Sequence, residues 1–340
     1  MSEDDPTESA LTAEESQQPP PLAGTPEPDT SLRGDRASKA ILLRLLEAIE
    51  ANEAGVLLNA DPECLHDFRI AVRRTRSALG QIKGVFPARA VARFAPRFAW
   101  LGQITSEPRD FDVYLLGFDE LKTGLPKHFH GGIEPLRGFL EHHADLAHAE
   151  LARQIHSQRY RALLADWRKF LAAPCPRRPA APQALAPIRD IGGARLWRLF
   201  RRAIKQGQAI APDTSAEAIH ELRKTCKKLR YLLEFFRTFY PPDEINRPIK
   251  QLKKLQDYLG EFQDVHARIG MLEVISHEMR KDAVVPTEAL LALGVLLAAL
   301  DRRQAKLRKA FTEHFEPFAH RRNRERFRAL FKLVEPEEQP

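Results

Sequence analysis

The sequence predicts an all-α protein on three observations: a helix-forming composition, apolar residues recurring at three-and-four spacing, and a scarcity of strand formers. Ala, Leu, Arg, Glu and Lys dominate the 340 residues and β-branched residues are sparse, a mixture that favours helices because unbranched side chains lose little rotamer freedom there. With 43% hydrophobic and 29% charged residues, the chain has apolar surface for one large core or two moderate ones.

Each stretch of the chain follows from its local chemistry. Residues 1–35 are rich in Glu, Asp, Pro, Ser and Thr with almost no large apolar side chains, so nothing offsets the entropy of ordering them and a disordered tail is expected. A second break falls where Pro174, Pro176, Pro179, Pro182 and Pro187 remove backbone donors, which reads as a linker over 173–190. Between the breaks the periodicity predicts two helical repeats, 36–172 and 191–333, each of about six helices. In the first the helices cover 37–58, 62–85, 89–105, 109–122, 133–156 and 158–172. In the second they cover 193–210, 215–239, 243–260, 262–281, 286–314 and 317–333. The longest apolar run, Ala289 to Leu300, is too short to span a bilayer and is expected as a buried helix.

Charge narrows the partners. The net charge is +7, yet the first 30 residues carry eight acidic groups and no basic one, so the remainder carries +15. So basic a body repels itself unless anions are near, which points to polyphosphate, nucleic acid or an anionic membrane surface. Cys64, Cys175 and Cys226 lie far apart with no CxxC spacing, which suits a reducing compartment rather than a disulfide framework or metal motif. The chain opens on acidic residues with no basic segment leading into an apolar one, so a cytoplasmic location is expected.

The most informative feature is self-similarity. His66-Asp-Phe-Arg-Ile-Ala-Val-Arg-Arg-Thr-Arg76 and His220-Glu-Leu-Arg-Lys-Thr-Cys-Lys-Lys-Leu-Arg230 share one charge pattern. Leu101-Gly102 with Asp112-Val113, and Leu259-Gly260 with Asp264-Val265, follow at a similar distance, the offset staying near 154 residues. At about 100° per residue, His66, Arg69, Arg73 and Arg76 fall within an arc of roughly 80° on one helix face. His220, Arg223, Lys227 and Arg230 do the same. Beside each stripe runs an apolar one, Phe68, Val72, Thr75 and Leu79 in the first copy and Leu222, Cys226, Leu229 and Leu233 in the second. Like charges four apart, such as Arg69 with Arg73 or Arg223 with Lys227, cost about 0.2 to 0.5 kcal/mol each. Paying that cost twice at one spacing points to a bound anion rather than a merely solvated face.

The histidine-led basic helix, its repetition, and the paired Leu-Gly and Asp-Val segments are similar to the CHAD family, the conserved histidine α-helical domain. Arg109-Asp-Phe-Asp-Val113, Gln158-Arg-Tyr-Arg161 and Leu255-Gln-Asp-Tyr-Leu-Gly260 extend the resemblance over about residues 35–333. It implies two antiparallel helical bundles, related by a pseudo-twofold internal repeat, around a basic central channel that binds inorganic polyphosphate. Carried over by motif, the binding residues are His66, Arg69, Arg73, Arg74 and Arg76, with His220, Arg223, Lys227, Lys228 and Arg230. Lys250, Lys253 and Lys254 are added as a further cluster, although their first-copy counterparts, Arg93 and Arg97, match poorly in spacing. The Glu-x-Glu-x-Lys mark of the triphosphate-processing domain that some members carry is absent.

A row of guanidinium and ammonium groups suits a phosphate chain, which offers closely spaced anionic oxygens and little else. A nucleic-acid strand would also need aromatic platforms, and Phe68, Tyr231, Phe235 and Phe236 read as core residues. His66 and His220 can donate to phosphate. His128, His130, His142 and His143 lack an acidic companion set and read as solvent-exposed. Asp110, Asp112 and Asp264 are expected near helix starts, as caps or ion pairs. No nucleophile stands beside a base, and no HExxH, Walker or GxGxxG motif is present, so a protein without catalytic residues, cofactor or metal is expected. Two other readings stay open: a metal-dependent phosphohydrolase built on His66, His220, Asp112 and Asp264, and a nucleic-acid-binding protein. A place on polyphosphate granules fits the leading reading, with the acidic tail a spacer or an internal competitor for the channel.

Overall fold

The two basic helices are set by their caps and their apolar stripes. The computed structural model describes residues 32–282 and 286–332; the acidic segment 1–31 lies outside them. The first helices are α1 (Gly34–Leu58), α2 (Pro62–Gln81), α3 (Ala88–Ile104), α4 (Ser106–Leu116), α5 (Phe118–Thr123), α6 (Glu134–Ile155) and α7 (Gln158–Ala172). After the Pro-rich segment come α8 (Ile188–Gln208), α9 (Ala216–Phe236), α10 (Pro242–Asp282), α11 (Thr287–Ala319) and α12 (Arg321–Phe331). Among the described residues there is no β-strand, and the fold is all-α as the composition predicts.

Helix α2 starts cleanly because Asp61 accepts a hydrogen bond from the Glu63 amide at 2.9 Å, with Pro62 in the first turn. Helix α9 starts on Ser215, whose hydroxyl accepts from the Ala218 amide at 3.4 Å. Phe68, Val72, Thr75 and Leu79 are all buried on α2, as are Leu222, Cys226, Leu229 and Leu233 on α9. Burying each large apolar side chain contributes about 1.5 to 3 kcal/mol, enough to fix which way both helices face. They pack against each other, α2 between α1, α3 and α9, and α9 between α8, α10 and α2.

One continuous apolar core runs through both halves, from Leu42 and Leu46 on α1 to Phe327 and Phe331 on α12. The Pro-rich segment is laced onto it. Gln183 donates its amide to Gly84 at 2.8 Å, Ile188 to Leu32 at 3.1 Å, and Gly34 donates to Ala186 at 2.9 Å. Ala181 and Ala184 are buried beneath. Gly84 holds a positive φ of 75° at this contact, a backbone conformation that side chains with a Cβ resist.

The structure departs from the sequence expectation in the second half at α10, at α11 and in the burial of the Ala289–Leu300 stretch. Helix α10 runs unbroken through Gly260, because Leu259 and Phe262 on either side are fully buried; their burial outweighs the roughly 1 kcal/mol an interior glycine costs. Helix α11 likewise continues through Pro317 and ends at Ala319, held by buried Phe315 and Phe318. The Ala289–Leu300 stretch is only half covered, with Leu290 and Leu291 exposed; Ala292, Leu293 and Leu296 join a satellite cluster with Phe118, Leu136, Leu140, Leu272 and Ile275. No described helix is long and apolar enough to cross a membrane.

Candidate functional site

The packing of α2 on α9 brings two cationic stripes to the walls of one cleft of about 240 Å³. Arg69, Arg73 and Arg76 line it from α2, and Arg223, Lys224, Lys227 and Lys228 from α9. Helix α3 and the start of α4 close the α2 side with Gly102, Gln103, Thr105, Ser106 and Asp110.

The α2 wall is tightly tied. Arg69 donates to Thr105 Oγ1 at 3.0 Å, Ser106 Oγ at 3.2 Å and the Gly102 carbonyl at 3.4 Å. Burial, opposed by the Asp110 carboxylate and assisted by Arg73, Arg109 and Arg76, lowers its pKa to about 10. Arg73 lies over the Tyr231 ring of α9, 5.3 Å from its centroid. Arg76 lies against Gly102, where an added Cβ would sit 2.6 Å from Nη1. The Leu101-Gly102 pair noted in the sequence thus has a steric cause: Leu101 is buried and Gly102 clears the path of a guanidinium.

Asp110 is the one carboxylate on the cleft lining. Burial raises its pKa to about 7, opposed by Arg69 and Arg109 and reinforced by Glu107 and Asp112. It is neither a cap nor at a helix start: Asp110 lies inside α4, and so does Asp112, which accepts from the buried His148 of α6 at 2.7 Å. Asp264 is buried in mid-α10. Of the two roles expected for these residues, capping is not seen, whereas Asp110 interacts with Arg69 of the basic stripe. The sequence missed this because helix α4 begins at Ser106, three residues earlier than its apolar pattern suggested.

The other sequence candidates sit around the cleft rather than on its lining. His66 Nδ1 is 3.1 Å from Nη2 of Arg109, and a guanidinium only donates, so His66 accepts there. Arg109 also donates to the Pro62 carbonyl at 3.2 Å. His220 Nδ1 meets Gln263 Oε1 at 2.9 Å, and donates to it. Both leading histidines thus tie their helix starts to neighbouring helices. Arg74 and Arg230 converge on Glu234, at 2.7 and 2.8 Å, and pin α2 to α9 beside the cleft. Lys250 and Lys254 are exposed on α10, with Lys253 half-buried, and none of the three is among the lining residues. Arg93 and Arg97 both pair with Asp166 of α7 and are likewise absent from the lining.

Sequence reasoning left out Lys224, which lines the cleft and pairs with Glu221 at 2.8 Å. It lies one residue past Arg223, outside the four positions matched between the stripes, and only the α9 packing angle brings it in. Gln81, at the end of α2, also reaches the lining and accepts from Arg195 of α8 at 3.1 and 2.5 Å. Among the described residues no three His, Cys, Asp or Glu side chains cluster as metal ligands.

Fold and cleft together define an all-α protein whose two central helices present a shared cationic cleft. The model of the CHAD domain matches residues 40–273, and the chain belongs to the CHAD domain family. The fold is similar to the crystal structure of the CHAD domain from the plant Ricinus communis, at TM-score 0.71 and 26% identity over 90% of this chain and 98% of that one. PptA from Streptomyces chartreusis shares the fold, at TM-score 0.60 and 19% identity over 86% of this chain and all of that one, 100%. No curated protein matches the sequence.

Proposed function

We propose that this protein binds inorganic polyphosphate in the α2–α9 cleft and does no chemistry on it. The observation that carries the reading is the lining itself: Arg69, Arg73, Arg76, Arg223, Lys224, Lys227 and Lys228 face one space with Asp110 as the sole carboxylate. Keeping cations this close in a partly dry cleft is unfavourable without an anion. A linear phosphate chain supplies one at every unit, meeting forked donors from α2 and movable ammonium groups from α9. The duplicated motif makes the cleft the shared floor of two related helical repeats, which we read as the channel of the family. The groups a hydrolase would recruit bond elsewhere: His66 to Arg109, His220 to Gln263, Asp112 to His148. A cytoplasmic protein recruited to polyphosphate granules fits this chemistry.

The experiment is titration of the full chain with long-chain polyphosphate, with and without divalent metal, followed by sizing of the polymer. Binding with unchanged chain length is expected. With seven cations on the lining, the slope of log K against log salt should approach about −5, by analogy with single-stranded nucleic acid. The double variant R73E/K227E should weaken binding by about 100-fold or more, since each charge-assisted hydrogen bond contributes about 1.5 to 3 kcal/mol. Unchanged affinity at retained helicity would refute the cleft, and metal-dependent shortening of the polymer would refute the non-catalytic reading.

A further inference from the structure

A second cationic hollow, of about 340 Å³, lies between α8 and α12 and shares no lining residue with the α2–α9 cleft. Arg201 and Trp197 line it from α8, Arg324 and Arg328 from α12, and Lys332 from just past the end of α12, with the Arg321–Glu325 pair at its edge. We propose that this hollow is a separate binding site for single-stranded nucleic acid.

Its geometry is built rather than incidental. Phe200 of α8 and Phe327 of α12 are fully buried and stack nearly parallel, 7° apart with centroids at 3.8 Å. Buried Asn323 donates to the Phe318 carbonyl at 2.7 Å and fixes the start of α12. With the two helices locked, Arg321, Arg324 and Arg328 recur at three-and-four spacing on one outward face, within about 60° of arc, and Lys332 continues that row past the helix end. Among the described residues, the side chains of Arg201, Arg328 and Lys332 have no hydrogen-bond or ion-pair partner. Arg198, Arg202 and Lys205 extend the exposed cationic surface along α8.

The aromatic ring selects the class of ligand. Trp197 is half-buried, packed against the core on one side and lining the hollow with its remaining surface, its ring supported by Phe200 at 5.9 Å and 26°. An indole beside a row of cations offers a base a stacking surface while guanidinium groups take the flanking phosphates. In the α2–α9 cleft, by contrast, the Tyr231 ring lies under Arg73. Polyphosphate has no use for the indole.

The test uses the full chain, a fluorescein-labelled single-stranded uridine dodecamer, and long-chain polyphosphate as the second probe. R201E/R328E should lower affinity for the dodecamer about tenfold or more while leaving polyphosphate affinity within about twofold. W197A should lower dodecamer affinity about fivefold to 100-fold, and W197F should recover most of it. Circular dichroism checks that the charge variants keep their helicity. Failure of the parent protein to bind the dodecamer, or equal dodecamer affinity in R201E/R328E, would overturn the proposal. So would charge reversal that weakens polyphosphate binding alone, which would mark the hollow as an extension of the polyphosphate track.

Discussion

On the α2 wall of the cleft, Arg69 is held by three acceptors and shadowed by the half-buried carboxylate of Asp110, and Arg76 is seated against the bare backbone of Gly102. On the α9 wall, Arg223 is buried, Lys224 leans on Glu221, and Lys228 is exposed. Both walls derive from the same charge spacing. What differs is the third layer: α3 and α4 press their polar ends against α2, whereas the outer lysines of α9 look toward open solvent. One wall is therefore a fixed template, and the other an adjustable clamp. Equal motifs at equal spacing can thus do unequal work, because a side chain's freedom is set by what packs behind it.

The sharpest way to break this comparison is to substitute one residue on each wall. Arg69→Ala should weaken polyphosphate binding about 10- to 100-fold and lower the melting temperature, since it removes the stronger of the two cations acting on Asp110 and leaves three acceptors without that donor. Lys228→Ala should cost about threefold or less and leave the melting temperature unchanged, as an exposed charge contributes little. Arg69→Lys should fail to restore binding and Lys228→Arg should be neutral, measured by calorimetry and thermal melts. Similar losses at both positions would remove the distinction between template and clamp.

The half-buried carboxylate of Asp110 sharpens the comparison through pH. The Asp110 pKa is raised to about 7 from the ordinary carboxylate range, so the folded protein holds that proton where the unfolded chain has released it. Its contribution to stability is therefore fully present below the ordinary carboxylate range, near 3.8, and is lost as pH rises from there through about 7. Polyanion binding should likewise strengthen as pH drops from about 8 to 6, with proton uptake, because the protonated form removes the one negative charge on the lining. Asp110→Asn should flatten that dependence and raise affinity several-fold at pH 8; a persistent slope would remove Asp110 as its source. A modest effect is expected at Gly102. Its replacement by Ala leaves the fold intact but displaces the Arg76 guanidinium, a flexible group, with a loss of about two- to fivefold in affinity.

Much of the α2 and α9 faces was legible from residue spacing, because helical periodicity and side-chain charge are both local properties. Two boundaries moved because burial overrode a local breaker, Gly260 inside α10 and Pro317 inside α11. Within the candidate set, spacing could not separate Arg73, which lines the cleft, from Arg74, which pins α2 to Glu234. They are adjacent in sequence and identical in chemistry, and only the partner across the helix face distinguishes them. Lys250, Lys253 and Lys254 were drawn in by charge alone, while Lys224 and Trp197, both in hollows, carried no signal beyond their side-chain type.

By itself the sequence determined the helical class, the doubled cationic stripe and the family, since each is written in periods of a few residues. Tertiary structure decided which cations share a space, which are spent on carboxylates or glutamine, and where a carboxylate is dry enough to hold its proton near neutral pH. These outcomes depend on distances between residues that lie far apart in the chain. Electrostatic interaction and desolvation vary steeply with separation and burial, which packing sets and local spacing does not encode.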